Sequence, residues 1–149
     1  MQKIDIKPFS ARDVKDATEL EMQCFSSPWS EKGFQEAMLG GLSYFVAARS
    51  QGGDFLGYAG MYSAADEGYI YNIAVCEKYR LMGIGSRLLE NLLEYSKNLE
   101  LRFLSLEVRV SNLSAVKFYE KLGFKNLGIR KNFYDFPKED AFIMSYYFK

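Results

Sequence analysis

The sequence predicts a mixed α/β (α+β) fold in a single domain covering residues 1–149. A chain of 149 residues has the usual length of one domain and can bury a core without metal or disulfide support. Stretches with the two-residue alternation of strands are interleaved with stretches that have the apolar spacing of helices, and no linker or repeat divides them. The predicted order of elements is βααβββαβαββ.

The N-terminal half is predicted to contain four strands and two helices. Residues 4–6 alternate as a short first strand, and Ser10 with Asp13 forms a capping box for the first helix. Ser30 caps a second, short helix that ends at the glycine pair 40–41. The three strands that follow are separated by turns containing glycine. They cover Ser43–Ser50, Phe55–Ser63 and Tyr69–Val75.

The C-terminal half is predicted to contain two helices and three strands. The first helix begins at Ile84 and continues its apolar spacing through Leu88 and Leu92. A strand follows at Phe103–Val110, and a second helix ends at Gly123, a residue suited to a left-handed C-cap. The last two strands, Phe124–Ile129 and Ala141–Phe148, are predicted to be joined by an aromatic loop, Lys131–Lys138.

The composition excludes several kinds of site. The chain has no histidine, which excludes Ser-His-Asp and Cys-His catalysis and histidine-ligated zinc. Cys24 and Cys76 form no CxxC motif, so we expect no metal, no disulfide framework and a reducing, cytoplasmic location. The formal net charge is zero, which argues against direct nucleic-acid binding. No run of 18 apolar residues occurs, so neither a membrane span nor a signal peptide is expected.

One segment is locally acidic. Residues 13–36 contain six acidic residues and two lysines, a net charge of −4. The segment is either a solvated helix face or an acidic rim that attracts a cationic substrate.

A strand, a short loop with two glycines and a helix follow one another at residues 71–89. The start of a helix presents free N–H groups and a positive dipole end, and glycines let a ligand approach closely, which favours phosphate or pyrophosphate. A flexible helix start without a ligand is the alternative. The loop is no Walker loop, since Gly-Lys-Ser/Thr is missing, and no Rossmann fingerprint, since Leu88 occupies the third glycine position.

The longer string Arg80-x-x-Gly83-x-Gly85 resembles the acetyl-CoA signature of the Gcn5-related N-acetyltransferase (GNAT) family. Residues 106–112 and 115–124 are similar to the second half of that domain and occur in the same order. Within the family, several strings are most similar to the ribosomal-protein-alanine N-acetyltransferases, the RimI-like group. These strings are residues 28–31, 72–75, 106–109, 130–134 and 139–141.

The resemblance implies a mixed, mostly antiparallel sheet of six to seven strands flanked by about four helices. It also implies acetyl-CoA as acetyl donor, with the strand before the loop pairing with the pantetheine arm and the loop binding the pyrophosphate. An N–H group near Ile73 would then bind the thioester carbonyl oxygen. The implied cofactor-binding residues are Ile73, Ala74, Val75, Arg80, Leu81, Met82, Gly83, Ile84, Gly85, Ser86 and Asn112.

The resemblance further implies that Glu107 accepts a proton from the amine and that Tyr119 donates one to the departing thiolate. Chemistry supports a base, because the attacking amine must be neutral and an α-amino group has a pKa of about 7.7–8.0. Glu107, opposite Leu106 and Val108 on its strand, could act directly or through a water. The alternative for Glu107 is a strand glutamate that faces solvent. The alternative for Tyr119 is an aromatic residue that packs in the core without a chemical role.

The roles of some residues near these motifs are open to more than one interpretation. Phe133-Tyr134 replaces two tyrosines usual in the group, which could alter peptide recognition. The pair 81–82 (Leu-Met) is less polar than usual, which matters little if backbone amides bind the pyrophosphate. Cys76 has no histidine to activate it as a nucleophile, so a buried or edge thiol is expected. Trp29 is either a packing anchor or a substrate contact.

The predicted function is direct acetyl transfer in a ternary complex to a protein N-terminus, most specifically the N-terminal alanine of a small-subunit ribosomal protein. No metal, nucleic acid or membrane is involved, and the enzyme is a monomer or weak dimer. Two alternatives are an acetyltransferase for lysine side chains or a small polyamine, and a coenzyme-A-binding module without catalysis. A third is an RNA-binding sheet that uses Tyr69, Tyr71, Phe133 and Tyr134 for stacking, although the RNP strings are missing.

Overall fold

The computed structural model describes residues 3–149, which form seven strands in one sheet, four α-helices and a short 3-10 turn. In chain order these are β1 (Ile4–Pro8), α1 (Ala11–Cys24), α2 (Glu31–Leu39), β2 (Ser43–Ser50), β3 (Phe55–Ala64), β4 (Glu67–Val75), α3 (Ile84–Asn98), β5 (Phe103–Arg109), α4 (Leu113–Lys121), β6 (Lys125–Tyr134) and β7 (Glu139–Tyr147). The strand order is β1-β2-β3-β4-β5-β7-β6, and β4–β5 is the parallel pair among antiparallel neighbours. The predicted fold class and order of elements are confirmed.

Strand β6 is longer than the sequence predicts. The strand was expected to end at Ile129 and a loop to cover Lys131–Lys138, but β6 continues to Tyr134. Its register with β7 shifts between Arg130 and Tyr134, and Asn132 has a positive φ of 54°. This irregularity breaks the two-residue alternation of side chains, and for that reason the sequence pattern predicts the end of the strand too early.

Helices α1 and α2 cover one face of the sheet. They pack Val14, Leu20 and Phe34 against Phe45 of β2 and Tyr58 of β3. The rings of Phe34 and Tyr58 meet nearly edge to face, with centroids 5.5 Å apart, a geometry that aromatic pairs prefer. The aromatic residues of this layer therefore fix the positions of both helices.

Helix α3 covers the opposite face. Its predicted apolar stripe is confirmed: Leu88, Leu89 and Leu92 are all fully buried, packed in one cluster with Met61 of β3 and Leu104 of β5. Full burial of one such side chain contributes about 1.5–3 kcal/mol. No helix in the described part of the chain is long and apolar enough to cross a membrane.

The capping box predicted for α1 is present and is joined to an ion pair. The carboxylate of Asp13 accepts hydrogen bonds from the backbone N–H and the hydroxyl of Ser10, at 2.7 and 2.9 Å. Its other oxygen accepts a hydrogen bond from Nε of Arg49 at 2.9 Å and forms an ion pair with Nη2 at 2.8 Å. Burial raises the pKa of Asp13, but these hydrogen bonds together outweigh burial and hold the pKa below its ordinary value.

Asp13→Asn is therefore expected to lower the free energy of unfolding at pH 7 by about 1.5–3 kcal/mol, as expected for hydrogen bonds to a charged group. Because the folded pKa is depressed, the stability that Asp13 provides is present above about pH 4 and is lost as the pH falls through the folded pKa. Urea unfolding at pH 7 and pH 2 measures both values. Asp5→Asn, at an exposed acid of β1, is the control, and an equal loss at both pH values would contradict the ion-pair explanation.

Candidate functional site

Strands β4 and β5 separate partway along their length and leave a gap in the middle of the sheet. They pair only from Glu67 and Phe103 to Tyr69 and Ser105. Two residues further on, Tyr71 has no partner in β3, because the pairing between the two strands shifts there. Such a bulge bends a strand, and the bend accounts for the separation of β4 from β5.

The bulge also changes which residues of β4 face each side. Tyr71 packs among the aromatic residues under α1 and α2, and the next residue, Asn72, donates to a carboxylate of α1. Two successive residues therefore face the same side, and Ile73 and Val75 turn to the α3 side. This explains why the apolar residues Ile70, Ile73 and Val75 of one strand do not follow a two-residue period.

Backbone groups of β4 face the gap. The N–H of Cys76 donates to the carbonyl of Leu56 in β3, at 2.9 Å. Since hydrogen-bonded and non-hydrogen-bonded pairs alternate in an antiparallel ladder, the N–H groups of Val75 and Ile73 point away from β3. They are directed into the gap, where β5 no longer supplies a partner.

Two cavities extend along the gap and meet. The first, here called the α3 groove, has a volume of about 690 Å³ and lies between the end of β4, the loop before α3, and α4. The second, the β5 groove, has a volume of about 520 Å³ and lies between β4, β5, the α1–α2 loop and the β6–β7 turn. Both are lined by Cys24, Phe25, Ile73, Asn112, Ala115 and Tyr119, so the grooves are continuous.

The N-terminus of α3 opens into the α3 groove. Gly83, with φ of +80°, is its N-cap, and this left-handed conformation favours glycine. In the first hydrogen bond of the helix, the N–H of Arg87 donates to the carbonyl of Gly83 at 3.2 Å. The N–H groups of residues 84–86 therefore have no partner within the helix. Nε of Arg80 donates to the carbonyl of Val75 at 3.2 Å and ties the loop to β4.

The structure brings ten of the eleven predicted cofactor-binding residues together along the α3 groove. The eleventh, Met82, does not line it and is 52 % exposed. Lys121 and Ser114 of α4 also line this groove, although the sequence analysis assigned neither of them a role in the site.

The two predicted catalytic residues both line the β5 groove. The carboxylate of Glu107 is 3.5 Å from Nε of Arg130, and its side chain is 27 % exposed. Tyr119 lines both grooves where they meet, and its hydroxyl makes no hydrogen bond to another group within residues 3–149. Burial, and secondly the neighbouring Tyr134, raise the pKa of Tyr119 well above its ordinary value, so this hydroxyl keeps its proton at neutral pH.

The β6–β7 turn forms one wall of the β5 groove and is held by Arg109. The Arg109 guanidinium donates to the carbonyls of Pro137 and Asp135, at 2.9 and 3.1 Å, and pairs with Glu139 at 3.1 Å. It also lies 4.3 Å from the ring centroid of Tyr134. Burial, together with the charge of Glu107, raises the pKa of Tyr134 to about 12.

The opposite wall is the α1–α2 loop, which sequence reasoning missed as part of the site. Phe25, Ser26 and Ser27 line the β5 groove. The sequence does predict a break between the two helices at Ser27-Pro28, because proline interrupts a helix, but only tertiary packing brings this loop against β4.

Three open interpretations are resolved by packing. Trp29 is a packing anchor, with its ring centroid 5.1 Å from Phe34 and 4.7 Å from Tyr71. These contacts also occupy Tyr71, which is therefore no free platform for RNA bases. The thiol of Cys76 is half-buried and directed at the carbonyl of Phe55, at 3.4 Å, and burial raises its pKa, so it is a poor nucleophile.

The acidic segment 13–36 does not form a rim of the site. None of its six acids lines either groove. Asp13 and Asp16 pair with Arg49, and Glu21 is fully buried. The remaining acids of the segment are exposed, as expected for a solvated helix face.

Comparison with known proteins identifies the class. The profile of the Acetyltransferase (GNAT) family matches residues 14–124. The chain is 36 % identical over 142 residues to the [ribosomal protein bS18]-alanine N-acetyltransferase of Escherichia coli (strain K12), a match covering 94 % of this chain and 95 % of that protein. It is 32 % identical over 147 residues to N-alpha-acetyltransferase RimI of Mycobacterium tuberculosis, covering 95 % and 90 %.

A solved structure gives the same result. The crystal structure of the ribosomal-protein-S18-alanine N-acetyltransferase from Escherichia coli superposes with a TM-score of 0.88 at 33 % identity, covering 97 % of this chain and 94 % of that one. The chain belongs to the acetyltransferase (GNAT) family. The predicted family, fold and enzyme class, an acetyl-CoA-dependent N-acetyltransferase, are confirmed.

Proposed function

We propose that the protein transfers the acetyl group of acetyl-CoA to the N-terminal amine of a protein, most specifically the N-terminal alanine of a small-subunit ribosomal protein. The observation that carries the proposal is the continuous pair of grooves: free helix N–H groups line one end, Glu107 lines the other, and Tyr119 lies at their junction. The names of the Escherichia coli relatives support the acceptor.

The α3 groove suits the donor. The free N–H groups of residues 84–86 and the positive end of the α3 dipole would hold a pyrophosphate. The gap-facing N–H groups of Ile73 and Val75 would pair with the pantetheine arm and with the acetyl carbonyl oxygen. When bound, acetyl-CoA supplies the acetyl group as a thioester. The exposed Leu81 fits binding through backbone amides, since its side chain is directed into solvent.

The β5 groove suits the acceptor amine and its deprotonation. An α-amino group with a pKa of about 7.7–8.0 is largely protonated at neutral pH and needs a base before it can attack. Glu107 is the carboxylate of β5 in this groove and would take that proton, directly or through one water. Tyr119 would give its proton to the departing sulfur and so avoid a free thiolate in the groove.

Segments spread from residue 24 to residue 136 line the two grooves. This supports the prediction that residues 1–149 form one domain. A ribosomal-protein acceptor supports the predicted cytoplasmic location.

The acceptor is tested by incubating the protein with acetyl-CoA and a panel of amines and locating the acetyl group by mass spectrometry. The panel contains a peptide that begins with the alanine of bS18, the same peptide with a blocked N-terminus and an internal lysine, and a polyamine. We expect acetylation at the free α-amine alone. Acetylation of the lysine or the polyamine instead would change the acceptor class, and binding of acetyl-CoA without any turnover would indicate a non-catalytic module.

Gly83→Asp is expected to abolish the rise in melting temperature that acetyl-CoA causes by binding only the folded protein. A carboxylate at the start of α3 repels a pyrophosphate, whereas aspartate tolerates a positive φ better than most residues. Gly41→Asp is the matched control, since Gly41 has φ of +74° and open space around it but lies outside both grooves. An unchanged thermal shift in the Gly83 variant would locate the donor elsewhere.

Glu107→Gln is expected to lower turnover about 10²–10⁴-fold at neutral pH, the usual contribution of a positioned general base. The loss should shrink at high pH, where the amine is already neutral. Steady-state rates from pH 6 to pH 10 measure this, with Glu67→Gln as control because Glu67 also pairs with an arginine, Arg102, at 3.2 Å. A loss that is the same at every pH would mean that Glu107 positions the substrate instead.

Tyr119→Phe is expected to lower kcat about 10²-fold or more while acetyl-CoA affinity barely changes, because the proton is needed only in the transition state. Stability should stay within about 1 kcal/mol, because phenylalanine keeps the ring contacts with Phe118 and Phe124 and no hydrogen bond within the described residues is lost. Tyr146→Phe is the control, since both tyrosine rings lie 5.7 Å from that of Phe124. A folded Tyr119→Phe enzyme with wild-type kcat would make water the proton source.

A further inference from the structure

Glu21 is a fully buried acid that the proposed chemistry does not use. It lies in the last turn of α1, four residues before Phe25 begins the α1–α2 loop. Removing a carboxylate from water is costly unless hydrogen bonds satisfy it. The position of Glu21 therefore requires specific partners.

Three donors from three different elements satisfy the carboxylate. Oε1 accepts from the backbone N–H of Trp29 at 2.9 Å. Oε2 accepts from the side-chain amide of Asn72 at 3.2 Å and from the hydroxyl of Tyr58. Burial raises the pKa of Glu21, and the hydrogen bonds from Tyr58, Trp29 and Asn72 oppose that rise.

These contacts hold the α1–α2 loop at both of its ends. The backbone carbonyl of Glu21 accepts from the N–H of Phe25 at 3.0 Å, where the loop begins. Its side chain accepts from Trp29, where the loop ends. Between these two points Ser26 and Ser27 line the β5 groove, and Asn72 of β4 lines the same groove.

None of the Glu21 contacts reaches the groups assigned to proton transfer. Glu107 is on β5 and Tyr119 on α4, whereas the partners of Glu21 are on β3, β4 and the α1–α2 loop. A change at Glu21 would therefore act on the α1–α2 loop and on Asn72, which line the β5 groove, and would leave Glu107 and Tyr119 in place.

We propose that Glu21 is a positioning residue for the acceptor: it fixes the α1–α2 loop against β4 and thereby sets the affinity for the acceptor peptide. The proposal rests on the proposed function, because the β5 groove must be the acceptor groove. Glu21 itself touches neither substrate and takes no part in acetyl transfer.

The test compares Glu21→Gln with Asp13→Asn in steady-state kinetics on the alanine peptide. Each substitution removes the charge of a buried acid on α1 whose carboxylate accepts hydrogen bonds. Asp13 and its partners, however, lie outside both grooves. Glutamine keeps the volume and supplies one accepting oxygen instead of two, so either the Trp29 or the Asn72 attachment is lost. We expect the acceptor KM to rise about tenfold, equivalent to about 1.4 kcal/mol, with kcat and the acetyl-CoA thermal shift unchanged.

Tyr58→Phe provides a milder variant that retains the carboxylate and removes one donor outside the grooves. This variant should also raise the acceptor KM, by a smaller factor. If Glu21→Gln does not fold, the acceptor KM of Tyr58→Phe tests the proposal in its place. Wild-type KM in a folded Glu21 variant, or an equal KM rise in Asp13→Asn, would overturn the proposal. A wild-type enzyme that fails to acetylate the peptide would instead overturn the proposed acceptor.

Discussion

The separation of β4 and β5 is the constraint on which the site depends. Inside a sheet, backbone N–H and carbonyl groups without partners are costly, and here the groups of Ile73 and Val75 lose their neighbour strand halfway along β4. The bulge at Tyr71 creates that loss and, in the same step, turns both residues toward the α3 side. A ligand with amide groups can restore the missing hydrogen bonds, so an interruption in the fold becomes a binding surface.

The two separated strands remain in place because each is held from its other side. Strand β5 pairs with β7 over all of its length, from Phe103 to Arg109. Strand β4 stays paired with β3 up to Val75, and Tyr71 is packed against Trp29 and Phe45. Helix α3 then closes the α3 face with side chains that are fully buried. The gap is therefore a rigid feature of the sheet, and its two edges carry different chemistry.

Local patterns in the sequence were sufficient for the elements and for part of the site. A helix cap and an apolar stripe depend only on residues that are close in sequence. The caps Ser10 and Ser30 and the leucine stripe of α3 could therefore be recognised without tertiary structure. Gly83 and Glu107 were predicted as site residues from two separate strings that resemble the GNAT family, residues 80–85 and 106–109. The bulge at Tyr71 has no such local signal, since it exists only relative to β3.

The contacts of Glu21 show the same limit of sequence reasoning. Its partners are 8, 37 and 51 residues away, and the sequence shows only an acid in an acidic helix. The part of β6 that follows Ile129 was not predicted as strand. A shifted register there removes the alternation of inward and outward side chains by which strands are recognised in a sequence. What could not be predicted is therefore what depends on packing between distant segments.

The arrangement of the grooves also bears on the order of chemical steps. Because the α3 groove and the β5 groove are separate cavities that meet at Tyr119, donor and acceptor can be bound at the same time. Of the two cysteines, Cys76 is unsuited to an acetylated intermediate, since its thiol faces the carbonyl of Phe55 and burial raises its pKa. Cys24 lines both grooves, and Nη2 of Arg80 donates to its thiol at 3.6 Å. Glu107 and Tyr119 lie on separate elements, β5 and α4, so one can accept a proton while the other donates one. This geometry favours direct transfer from donor to amine.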